Sequence, residues 1–219
     1  MRLNKILGVL TVVGVLCPVQ LMAAQVFIGN AGFESTTLAD GLNVTLVPDW
    51  TGTGSTGAFN PAALSMPGGN TPEGNNMAYV NGGSLTQILG ATLTANTTYT
   101  LTMDVIKRSE GVFQSASYLI ELLAGSDVIA QDNNSLSVAS GTFETSTLIY
   151  DALAGDSLLG SLLGIRISGD PQTSFDRVVL DASSSSSSVI PTPIPAALPL
   201  FASAFGLMGF AGWKRKKTS

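Results

Sequence analysis

TYTLTMDV, residues 98–105, alternates without a break: Tyr99, Leu101, Met103 and Val105 point one way, and Thr98, Thr100, Thr102 and Asp104 the other. A period of two, carried by β-branched and aromatic residues, predicts a half-buried strand. Upstream, Met77 to Val80 and Ser84 to Ile88 flank Asn81-Gly82-Gly83, a hairpin signal because Asn and Gly accept positive φ. Downstream, Ser117 to Leu123 is apolar on both faces and reads as a central strand, turned by Ala124-Gly125-Ser126-Asp127 into Val128 to Gln131. Thr142 to Tyr150, Leu162 to Ser168 and Ser174 to Leu180 bring the total to about eight or nine short strands, and nothing between them sustains a helical period. The predicted class is all-β, a two-sheet sandwich over residues 25–182.

Composition removes whole classes of chemistry. The chain has 219 residues, 45% of them hydrophobic and 11% charged, with no histidine and one cysteine, Cys17. Without His there is no Ser-His-Asp or Cys-His arrangement and no imidazole-bound metal. All fifteen acidic residues fall between Glu34 and Asp181, where the basic residues are Lys107, Arg108, Arg166 and Arg177. So acidic a body cannot neutralise phosphates, which argues against nucleic acid as a partner.

The two ends read as addresses. Arg2 and Lys5 precede an apolar run, Ile6 to Leu16, and a small-residue exit at Ala23-Ala24, the pattern of a secretory signal peptide over residues 1–24, cut by signal peptidase after Ala24. At the other end, the serine run 183–188 opens a flexible linker over 183–192. From Ala196 to Trp213 no residue is charged, and eighteen residues rising about 1.5 Å each suit a transmembrane helix. Lys214, Arg215, Lys216 and Lys217 then form a cytoplasmic stop, leaving the acidic domain outside the inner membrane.

The segment Pro193-Ile194-Pro195-Ala196-Ala197-Leu198-Pro199-Leu200, followed by the apolar stretch and the basic cluster, resembles a PEP-CTERM sorting tail of the Val-Pro-Leu-Pro-Ala type. The resemblance implies that an exosortase of a Gram-negative bacterium processes residues 193–219 and delivers the domain to the cell surface or extracellular matrix. A second resemblance rests on Gly29-Asn30-Ala31-Gly32-Phe33-Glu34, Val47-Pro48-Asp49-Trp50 and Ser174-Phe175-Asp176-Arg177-Val178-Val179-Leu180-Asp181, which look like a galactose-binding-type jelly roll, the frame of many carbohydrate-binding modules.

Three constellations could carry chemistry. If the first and last strands pair as in that fold, Glu34 and Asp176 become neighbours, and oxygen ligands suit a structural Ca²⁺; no other cofactor is called for. Trp50, Phe59 and Tyr79, with Asn75 and Asn76, could offer a sugar an aromatic platform rimmed by amides, although an early Trp in a sandwich is more often core. Asp104 with Glu121 would be one carboxylate pair for glycoside hydrolysis, but 158 residues leave little room for a cleft. The sequence thus reads as a non-catalytic, exported module that binds extracellular polysaccharide, with a protein-binding matrix or adhesion component as the alternative.

Overall fold

The computed structural model describes residues 23–62, 71–109 and 117–184; residues 1–22 of the expected signal peptide, 185–192 of the expected linker and the whole expected sorting segment, with Pro193, Pro195, Ala196 and Lys214 to Lys217, lie outside them. The described residues are all-β, with ten strands: β1 Ala23–Val26, β2 Asn43–Val44, β3 Thr51–Phe59, β4 Met77–Thr92, β5 Thr97–Lys107, β6 Tyr118–Ala124, β7 Asp127–Asn133, β8 Thr142–Ala152, β9 Leu162–Gly169 and β10 Thr173–Ser184. They form one sheet in the order β7-β6-β9-β4-β10-β5-β8, with β1 beside β10 and β3 joining β2 to β4. The first two residues of β1 fall within the expected signal peptide, where they pair with Ala182 and Ser183.

Residues 98–105 form the middle of β5, and Tyr99, Leu101, Met103 and Val105 are all buried in the main core. The expected hairpin at Asn81-Gly82-Gly83 does not form. These residues lie inside the sixteen-residue strand β4, which pairs with β10 through Ala78 to Val80 and with β9 from Gly83 onward. The sheet turns its corner here. Gly54 and Gly82 take φ of +68° and +67°, and β3 slips register between Thr53 and Ser55. A Cβ on Gly83 would stand 1.9 Å from the Thr53 carbonyl oxygen, so the two backbones pass too closely for any side chain. Asn-Gly-Gly therefore marks a bend between two halves of a strand, not a reversal.

Bent in this way, the sheet closes nearly into a barrel around Leu101, Ile120, Leu122, Leu163, Ile165, Ile167 and Phe175, none more than 0% exposed. The expected central strand, β6, is second from the edge and owes its two-faced burial to that closure. The end strands β7 and β8 meet through a side chain: Ser146 donates to Asp132 Oδ2 at 2.5 Å, and Tyr118 donates to the same oxygen at 2.8 Å. Burial raises the Asp132 carboxyl, but the bonds from Ser146, Ser135 and Tyr118 outweigh it and hold the group below its ordinary value.

Candidate functional site

On the face of β3, β4 and β5 opposite the main core, a second, small apolar cluster gathers Phe59, Met77, Tyr79 and Ile106. Its origin is the strand period: Ala78 and Val80 enter the main core, so Met77, Tyr79 and Asn81 face the other way. Phe59 pairs with Met77 across the strands, and Gly57 with Tyr79. A Cβ on Gly57 would meet the Tyr79 hydroxyl at 2.6 Å, so glycine is what lets the phenol ring lie over β3.

Here Phe59, Tyr79, Asn43, Asn81, Arg108 and Gln172 line a cavity of about 290 Å³. Arg108 lies 4.4 Å over the Phe59 ring, and Asn43 Nδ2 donates to the Tyr79 hydroxyl at 3.3 Å. Two aromatic walls with a few converging polar groups suit a small aromatic ligand. A larger groove of about 450 Å³ lies between Gly82, Ser117 and Asp170, but glycine and serine dominate it, and its one aromatic, Tyr118, spends its hydroxyl on Asp132. A third hollow beside β1, about 310 Å³, is lined by Val26, Phe27, Ile28 and Val178 and lacks converging polar side chains other than Gln25.

The same face continues along β10. Ser174 stands opposite both Tyr79 on β4 and Ile106 on β5, and Asp176 stands opposite Asp104. The Asp104 carboxylate is fully buried, accepts from Thr145 at 2.6 Å and lies 2.8 Å from Arg177 Nη2. Asp176 is fully buried too; its oxygens accept from the Glu73 N–H at 2.8 Å and the Arg177 N–H at 2.7 Å. Burial, reinforced by the charges of Glu73 and Glu34, pushes the Asp176 carboxyl up to about 8, against the pull of those two N–H groups. A carboxyl so raised keeps its proton at neutral pH, which is what a general acid needs.

The residues anticipated from sequence are dispersed. Phe59 and Tyr79 meet in the cavity. Trp50 is no platform: it is buried against Phe33, ring centres 5.5 Å apart, with its indole N–H directed at the Asn30 carbonyl. Asn75 and Asn76 sit on the loop over Asp176, where both backbone N–H groups donate to Glu34 Oε1. Glu34 and Asp176 thus converge through that loop rather than by touching, and among the described residues no group of three His, Cys, Asp or Glu could hold a metal. Asp104 and Glu121 lie on β5 and β6, which β9, β4 and β10 separate, and Glu121 is engaged by Arg166 at 2.7 Å. Asn43, Asn81, Arg108 and Gln172 went unanticipated; the signal available was that Arg108 is one of four cations in an acidic body.

A family model described as HpiC1-like, HpiC1 cyclase, matches residues 24–181. Among solved structures, the apo form of a cyclase from Fischerella sp. is 30% identical, with a TM-score of 0.67 over 74% of this chain and 97% of that one. A Stig cyclase, Fisc, from Fischerella sp. TAU, in complex with (3Z)-3-(1-methyl-2-pyrrolidinylidene)-3H-indole, is 29% identical with a TM-score of 0.66 over 74% and 98%. A cyclase from the same source, in complex with 4-(1H-indol-3-yl)butan-2-one, is 31% identical with a TM-score of 0.64 over 73% and 98%. None of the curated proteins matches the chain. These likenesses overturn the expectation of a non-catalytic, glycan-binding protein, and with it the emphasis on a carbohydrate-binding module delivered as an exosortase substrate: they point to a family of cyclases instead.

Proposed function

We propose, for a chain that belongs to the HpiC1-like cyclase family, that the cavity between Phe59 and Tyr79 binds a small aromatic substrate and closes a ring within it. The nearly closed sheet is then a jelly roll used as a catalytic scaffold. The observation that carries the reading is Asp176, a buried carboxyl raised to about 8, on the same side of β10 as Ser174, the cross-strand partner of Tyr79 in the cavity wall. It stands two residues beyond Ser174 on β10, roughly 7 Å along the strand. Protonation from Asp176 makes one substrate carbon electrophilic, and a π bond elsewhere in the same molecule closes on it. Loss of a proton to the new carboxylate restores the acid, so the product keeps the substrate's mass. Phe59 and Tyr79 hold the substrate folded, which supplies the proximity that ring closure needs.

Titration of the full-length chain with 4-(1H-indol-3-yl)butan-2-one, the ligand of a Fischerella relative, tests the site. Saturable binding that Tyr79→Ala weakens at least tenfold supports it; no binding, or binding indifferent to that change, refutes it.

Because the carboxylates of Glu34 and Asp176 grip the same loop, through the N–H groups of Asn75, Asn76 and Glu73, a second reading is a structural Ca²⁺ held by Glu34 and Asp176 together with backbone oxygens. Their donors are oxygens, as a hard cation requires. Calcium that raises the melting temperature of the parent but not of Asp176→Asn would establish this role and leave Asp176 ionised; an unchanged melting temperature in calcium would leave it as the acid.

A further inference from the structure

The Ser174 hydroxyl has no role in the scheme above. It is 1% exposed, and its Oγ has no hydrogen-bond partner among the described residues. It sits in a definite place: directly opposite Tyr79 on one side and Ile106 on the other, both members of the small apolar cluster, and two residues from Gln172 on the cavity wall. Cross-strand partners share a face, so the hydroxyl lies behind the cavity wall, between an aromatic and an aliphatic side chain. An orphaned buried hydroxyl is costly, and a structural serine would bond a nearby carbonyl, as Thr173 next to it bonds the carbonyl of Ser117 at 2.9 Å.

We propose that Ser174 is a specificity-determining residue whose hydroxyl completes its hydrogen bonding only with a polar atom of the substrate, so that the site selects aromatic molecules carrying a carbonyl or comparable acceptor over all-hydrocarbon analogues. This rests on the cyclase reading of the cavity. A site built to bond a polar group rejects the analogue lacking it, because its own buried group is then left unpaired.

The experiment compares two probes, 4-(1H-indol-3-yl)butan-2-one and 3-butylindole, against the parent and Ser174→Ala, with melting temperatures measured in the absence of ligand. The parent should bind the ketone more tightly than the hydrocarbon. Ser174→Ala should weaken the ketone by about three- to tenfold, leave the hydrocarbon unchanged and raise the ligand-free melting temperature, because the orphaned hydroxyl is gone. A merely structural serine would lower the melting temperature and shift both probes alike. Equal loss for both probes, or no loss for the ketone, overturns the proposal while the cavity stands. Failure of the parent to bind either probe would count instead against the cyclase site.

Discussion

Two buried aspartates of this protein respond to pH in opposite directions. Asp176 holds, in the folded state, a proton that the unfolded chain releases near the ordinary value of 3.8. Its contribution to stability is therefore full below that value and is lost as pH rises towards about 8. Asp132 has a lowered carboxyl, so its contribution is present above 3.8 and is lost as pH falls through its depressed value. Chemical denaturation between pH 3 and pH 9 should show Asp176→Asn removing the alkaline decline and Asp132→Asn removing part of the acid decline. An Asp176→Asn variant that declined as steeply as the parent between pH 5 and pH 8 would deny the raised carboxyl. The sequence singled out Asp176, in Ser174-Phe175-Asp176-Arg177, as a calcium ligand beside Glu34; its raised carboxyl was not legible there. The raised value comes first from burial, and then from the charges of Glu73, 103 positions away, and Glu34, against the pull of the Glu73 N–H. For Trp50 the commoner of the two readings, core, is the one the fold adopts: Thr51 to Ser55 form the exposed half of β3 while the ring turns inward onto Phe33.

At the scale of elements, the corner between β3 and β4 places the cavity, because it lets one strand serve both halves of the sheet. Gly83→Ala, which would set a methyl 1.9 Å from the Thr53 carbonyl oxygen, should cost about 3 kcal/mol. Gly90→Ala, on the same strand with nothing within 4 Å, should be neutral or stabilise by a few tenths of a kcal/mol. Urea unfolding of the pair checks both; equal midpoints would mean that the corner does not need its glycines. Strand existence was plain in the alternation, and the strands around residues 98–105, 142–150 and 162–168 lie where it put them. Connectivity was harder. Asn-Gly-Gly has the local chemistry of a hairpin turn and of a bulged corner alike, and only the pairing of its flanks, with β10 and then with β9, separates the two.

At the scale of the molecule, the chain has no histidine to titrate near neutral pH. In the proposed mechanism a carboxyl raised by burial beside other carboxylates takes the part of an imidazole. The glycan reading failed for a related reason. A jelly roll is a frame that hosts both binding and catalysis, and the resemblance of its opening and closing motifs reports the frame alone. The most direct test of the account is turnover. The full-length chain is incubated with a panel of open-chain indoles that carry an unsaturated side chain, and products are separated and weighed by mass spectrometry. The account predicts a ring-closed isomer of unchanged mass, formed at least a hundredfold more slowly by Asp176→Asn, as loss of a general acid requires. A chain that binds the indoles yet converts none of them, or an Asp176→Asn variant as fast as the parent, would contradict it.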